Sequence, residues 1–152
     1  MSVPVLRPGR PGDEVTLSEL ALRSKGHWGY SPEFLKACRA ELTVRPDQLP
    51  DVVVAEVDGA IAGFRLLVAD GATAELDALF VDPPFIGSGV GGMLLAEVLA
   101  TARAHGIQLI GLDADPGAEA FYARSGARTT GLTPSGSIPG RVLPRMEFDL
   151  RA

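Results

Sequence analysis

Four glycines within six residues, Gly87, Gly89, Gly91 and Gly92, stand between an alternating strand pattern and an apolar helical pattern in ELDALFVDPPFIGSGVGGMLL, residues 75–95. Without a Cβ, glycine turns the backbone tightly and lets a ligand come close to the main chain. The first N–H groups of the helix that follows have no acceptor inside that helix. Aligned peptide dipoles add about half a positive charge at the same end. The segment therefore predicts an anion cradle, suited to the phosphates of a nucleotide or coenzyme.

Gly87, Gly89 and Gly92 also satisfy the GxGxxG dinucleotide fingerprint, with Asp113 as the acidic residue about 20 positions later. That alternative would make the chain an oxidoreductase. It expects a strand that runs straight into the glycines near the start of a βαβ unit. Here Asp82, Pro83, Pro84, Phe85 and Ile86 intervene, and a long run of other structure comes first.

The length of 152 residues, with 46% hydrophobic and 22% charged side chains, suits one compact domain over residues 1–152. A net charge of -5 argues against a nucleic-acid partner, which calls for clustered Lys and Arg. One cysteine and no clustered His and Cys set predict neither an internal disulfide nor a bound metal, and a reducing cytoplasm as the setting. The N-terminus lacks the apolar core of a signal peptide, and Arg65 interrupts the best apolar run, so no membrane association is expected.

The periodicity predicts a strand over Val3 to Arg7, helices over Asp13 to Lys25 and from Ser31 to Leu42, and strands over Val52 to Asp58, Ala60 to Asp70 and Thr73 to Val81. Asp58-Gly59 is a hairpin signal. A helix from Gly89 to His105, a strand from Ile107 to Leu112 and a helix from Pro116 to Ser125 follow. A Gly-, Pro- and Ser-rich loop spans Leu132 to Arg141, and a strand from Val142 to Leu150 closes the chain. The order β-α-α-β-β-β-α-β-α-β-β predicts an α/β fold of mixed type: a central mixed sheet of about seven strands with helices on both faces.

Two blocks carry a more specific resemblance. They read Val81-Asp82-Pro83 with Ile86-Gly87-Ser88-Gly89-Val90-Gly91, and Asp115-x-x-Ala118-x-x-Phe121-Tyr122-x-x-x-Gly126-Ala127. Together they resemble the GNAT superfamily of acyl-CoA-dependent N-acetyltransferases. The family pattern is V-x-P, then Arg or Gln-x-x-Gly-x-Gly or Ala, and Asn-x-x-Ala-x-x-Phe-Tyr-x-x-x-Gly-Phe. Ile86 departs from the basic or amide residue of the pyrophosphate loop, Asp115 from Asn, and Ala127 from Phe.

The resemblance implies acetyl-CoA as cosubstrate, an amine as acceptor and, by analogy, a possible homodimer. It assigns coenzyme contact to Leu79, Phe80, Val81, Ile86, Gly87, Ser88, Gly89, Val90, Gly91, Gly92, Asp115, Ala118, Phe121 and Tyr122. The pantetheine arm would lie between two splayed strands against the main chain of Leu79 and Val81. Tyr122 would protonate the departing thiolate. A CoA-binding module that has lost transfer is the runner-up reading, suggested by Ile86.

An alkyl amine, with a pKa near about 10.4, needs a route for proton loss at neutral pH. Glu75 and Asp77 are the base candidates; strand alternation would place both on one face with Leu79 and Val81. They are equally readable as two solvated charges near a strand start. Asp115 fits a helix N-cap ahead of Pro116. In the segment SKGHWGY, His27, Trp28 and Tyr30 are candidates for the acceptor wall, with a hydrophobic plug as the other reading of the aromatics. Arg141 could reach an acidic acceptor group or fix its own loop.

Overall fold

A computed structural model describes residues 3–151. Seven strands form one sheet in the order β1-β2-β3-β4-β5-β7-β6. The strands are β1 (Val5–Pro8), β2 (Val52–Val57), β3 (Ala60–Asp70), β4 (Thr73–Val81), β5 (Leu109–Asp113), β6 (Arg128–Pro134) and β7 (Val142–Asp149); the helices are α1 (Asp13–Gly26), α2 (Pro32–Leu42), α3 (Val90–Ala104) and α4 (Glu119–Arg124). The mixed α/β architecture matches the expectation. Every neighbouring pair is antiparallel except β4 and β5, which run parallel.

Local chemistry sets the elements. The Asp58-Gly59 turn has positive φ at both residues, 52° and 80°, the hairpin geometry expected of that dipeptide. The Ser31 hydroxyl accepts the Phe34 amide at 3.1 Å and starts α2, with Pro32 in its first turn. Leu17, Leu20 and Ala21 of α1 pack with Val52, Val54, Phe64 and Leu66 on one face of the sheet. Leu95, Val98 and Ala102 of α3 pack with Leu67, Leu76 and Ile110 on the other.

Several boundaries differ from the sequence reading: β1 begins at Val5 and not Val3, and β5 at Leu109 and not Ile107. The expected loop from Leu132 begins later, because β6 continues to Pro134 in register with Val142 of β7. The helix expected over Pro116 to Ser125 is a short 3-10 turn, Pro116–Ala118, followed by α4. Proline at the first position tightens this entry to the helix.

Two irregularities open the centre of the sheet. β4 and β5 pair through only three positions, Thr73 with Leu109, Ala74 with Ile110 and Glu75 with Gly111, and then diverge. On its other side β4 bulges against β3: Leu67 lies opposite Leu76 and Leu66 opposite Ala78, so Asp77 is the extra residue.

That bulge corrects the expected strand face. Ala74 and Leu76 lie on the α3 side with Leu79, whereas Ala78 and Phe80 pack toward α1. Alternation is broken at Asp77, and Glu75 does not share a face with Leu79 and Val81.

Candidate active site

The glycine segment leaves a run of backbone amides without partners. Gly87 and Gly89 have φ of 85° and 92°, values that side chains rarely tolerate, and Gly89 is the N-cap of α3. The Ile86 and Ser88 amides donate to Pro83 and Phe85, and Met93 donates to Gly89. Among the described residues, the amides of Gly87, Gly89, Val90, Gly91 and Gly92 have no acceptor. Five unpaired amides thus lie at the positive end of a 15-residue helix.

That helix is anchored from below. Buried Arg65 of β3 holds Glu97 of α3 with two hydrogen bonds of 2.7 and 2.8 Å and the Asp51 carbonyl with a third of 2.7 Å. Arg23 of α1 holds Asp82, the residue after β4, at 3.0 and 3.1 Å.

The four glycines of that amide run line a cleft of about 560 Å³ that follows the gap between β4 and β5. Its walls include Leu76 to Val81, Ile86, Gly87, Gly89, Gly91, Gly92, Asp115, Ala118, Phe121 and Tyr122. Most of the expected coenzyme residues therefore come together. Two do not offer side chains: the Ser88 hydroxyl turns back to the Phe85 carbonyl, and Val90 is buried in the core beneath the helix.

Tyr122 is 7% exposed and lines the cleft, and among the described residues its hydroxyl has no hydrogen-bond partner. Burial, followed by the charge of Asp115, pushes its pKa above the usual phenol range. The group is a neutral O–H over the whole physiological range, in the state needed to donate a proton.

A second cavity of about 310 Å³ adjoins the first along shared residues that include Leu76, Asp77, Ala78, Asp113 and Asp115. Glu75 and Arg141 line this chamber only. The two base candidates differ sharply. Glu75 is held by both guanidinium nitrogens of Arg145, one at 2.7 Å. Asp77 has no hydrogen bond or ion pair among the described residues and lines both cavities. Burial, then the charges of Glu75 and Asp113, hold its carboxyl above the usual value, with Arg145 opposing them.

Asp115 is the N-cap expected of it, since its Oδ1 accepts the Gly117 amide at 2.9 Å. Its other oxygen gathers the far wall: Lys25 Nζ and the Tyr30 hydroxyl each donate to Oδ2 at 2.7 Å, and Arg141 lies at 3.5 Å. Arg141 also donates to the Tyr30 oxygen at 2.9 Å, and Tyr30 stacks on Phe34 with centroids 4.1 Å apart. Burial and the neighbouring Asp115 push the Tyr30 hydroxyl up to about 12.

The acceptor-wall candidates thus separate. Tyr30 lines neither cavity and is a cross-link, Arg141 lines the second, and Trp28, 52% exposed, lines the first near Gly117. His27 lines neither and packs edge-on against Trp28.

Sequence reasoning missed Lys25 and Arg145, whose charges have no local signature. The one available sign of Arg145 was Gly111, a glycine inside an apolar strand, which often marks the close approach of another group.

The model of the Acetyltransferase (GNAT) family matches residues 16–127. A probable septum site-determining protein MinC of Thioalkalivibrio sulfidiphilus is 34% identical over 101 residues, 66% of this chain and 39% of that protein. An uncharacterized N-acetyltransferase of Mycobacterium bovis is 32% identical over 84 residues, 53% of this chain and 54% of its own. The chain thus spans about half or less of the length of these curated relatives. The PaiA N-acetyltransferase of Thermoplasma acidophilum, solved in complex with coenzyme A, superposes with a TM-score of 0.76 at 23% identity, covering 97% of this chain and 99% of its own. With the family match spanning most of the chain, on a fold whose central strands part beside a glycine-rich helix start, the protein belongs to the GNAT family of acetyltransferases.

Proposed function

We propose that this chain transfers the acetyl group of acetyl-CoA directly to a primary amine of a small molecule or peptide, in a ternary complex. The observation that carries this reading is the set of free amides at Gly87, Gly89, Gly91 and Gly92, which line a cleft between two diverging strands. Neighbouring unpaired N–H donors at a helix N-terminus fit a diphosphate, and the unpaired side of β4 offers main-chain groups to an amide-bearing arm. The Thermoplasma acidophilum relative holds coenzyme A on the same fold.

The acceptor enters through the second chamber and meets the thioester beside Asp77. Asp77 takes the proton as the amine nitrogen forms its bond to the acetyl carbon, and the bulged strand supplies backbone N–H to the developing oxyanion. The carbon–sulfur bond then breaks, and Tyr122 gives its proton to the leaving thiolate and recovers one from solvent. Glu75 is the weaker base, because Arg145 occupies both its oxygens. A net charge of -5 favours the approach of cationic amines.

The test offers acetyl-CoA with propylamine, putrescine, an amino-acid amide and a peptide with a free N-terminus, and measures free CoA together with acetylated product. Product with at least one of these supports transfer. Tight acetyl-CoA binding by calorimetry without any product overturns it and leaves a binding module, the reading suggested by Ile86, which lines the cleft where a basic or amide residue is usual in the family.

A further inference from the structure

We propose that Arg145 is a positioning residue for the transfer reaction: by crossing β5 over Gly111, it locks Glu75 and Asp113 and leaves Asp77 as the free base where the two cavities meet. This rests on the reading of Asp77 as the base.

The sheet register makes the crossing possible. Arg145 of β7 lies opposite Asp113 of β5, while Gly111 of β5 lies opposite Glu75 of β4. The guanidinium therefore leaves the third strand of this trio, passes diagonally over the middle one and ends on the first. On the way Nη1 contacts Asp113 at 3.2 Å, and at the far end both terminal nitrogens hold Glu75.

A Cβ at position 111 would lie 2.1 Å from Arg145 Nη2 and 2.9 Å from Glu75 Oε1. Any side chain there displaces the guanidinium. Gly111 is thus the opening through which β7 reaches β4, and a strand interior normally disfavours glycine unless a neighbour needs the room.

The remaining charges on the chamber wall have partners of their own. Two cations, Lys25 of α1 and Arg141, pair with the single carboxylate of Asp115, and Glu41 of α2 accepts the Ser137 hydroxyl at 2.6 Å. The groups that bear on Asp77 are Glu75, Asp113 and Arg145. Without the guanidinium, two uncompensated carboxylates face Asp77, and its protonated form is favoured. The base then loses its charge at a higher pH, and the acid limb of the rate profile moves up with it.

The experiment titrates the Asp77 carboxyl carbon by NMR, assigned with Asp77→Asn, in the wild type and in Arg145→Gln, Arg145→Lys and Gly111→Ala. In Arg145→Gln and Gly111→Ala the midpoint should rise by about one pH unit, and Arg145→Lys should restore most of it. The acid limb of kcat/KM, measured with the best amine of the panel, should move in parallel, costing about tenfold in rate below it. An Asp77 midpoint that stays put in the two variants overturns the positioning role, whatever their activity. If the midpoint moves but Asp77→Asn keeps wild-type turnover, Asp77 is not the base and both readings fall. If midpoint and acid limb move together, the assignment stands.

Discussion

The two sides of this site are made of different materials. The proposed coenzyme side is backbone: its free amides are those of Gly87 and of Gly89 to Gly92, from one loop and one helix start. The proposed acceptor side is side chains joined across the fold, as in the contacts from Arg145 to Glu75, Tyr30 to Asp115, Lys25 to Asp115 and Arg141 to Tyr30, which span 70, 85, 90 and 111 residues of sequence. A backbone site survives exchange of most side chains, provided the turn keeps its glycines. A side-chain site changes with each substitution, so the acceptor can diverge while the donor stays fixed.

The strongest challenge to that contrast is Tyr122, a side chain on the backbone-built side. If the hydroxyl donates the proton, Tyr122→Phe lowers kcat by about 100-fold and leaves acetyl-CoA affinity unchanged, since the ring and its packing remain. Stopped-flow turnover with calorimetry on the same samples separates these effects. A fall in affinity equal to the fall in rate would make Tyr122 a wall of the cleft and not an acid.

Gly89→Val probes the coenzyme side itself. With φ at 92°, a β-branched residue must rearrange the turn, at a cost of about 1–3 kcal/mol. Acetyl-CoA should bind roughly tenfold or more weakly, with kcat of the saturated enzyme little changed. A larger effect on kcat than on affinity would show that the loop positions the thioester as well as the diphosphate.

The same contrast explains how far the sequence could be read. The seven strands, the mixed α/β fold and the glycine cradle follow from local signals: alternation, Asp58-Gly59, and glycines ahead of an apolar helix. Asp115 as a cap was visible because capping is a two-residue event. Arg145 and Lys25 escaped notice because their partners are defined by strand register and helix placement, which no local window contains. The expected common face of Glu75, Asp77, Leu79 and Val81 failed for a related reason. One extra residue against β3 inverts the alternation, and nothing in ELDALFV announces it.

On the acceptor side, Asp115→Asn keeps an oxygen to cap Gly117 and removes the charge that holds Lys25, Tyr30 and Arg141. Burial raises the Asp115 pKa, but the hydrogen bonds from Lys25, Tyr30 and the Gly117 amide outweigh it, and the net direction is below the ordinary 3.8. A depressed carboxylate pKa adds stability that is complete above the unfolded value and disappears as pH falls through the folded one. Urea unfolding should therefore show Asp115→Asn about 1–2 kcal/mol less stable at pH 7, with the gap narrowing below about pH 4. A gap that is constant with pH would mean that packing of Tyr30 on Phe34, and not the charge, joins these walls.

The smallest effect belongs to Ile86, 38% exposed at the mouth of the donor cleft. If backbone amides carry the diphosphate, an added guanidinium contributes one more charge-assisted contact in a partly solvated place, worth at most about 1 kcal/mol. Ile86→Arg should then tighten acetyl-CoA by no more than about fivefold at low salt, and the gain should shrink as ionic strength rises. A gain of a hundredfold would instead mean that the amides alone hold the diphosphate poorly and that the natural chain works with a deliberately weak donor site. Titrations of both proteins at two salt concentrations decide between these, because only the added side-chain charge brings a steeper salt dependence, whereas the amide cradle is common to both.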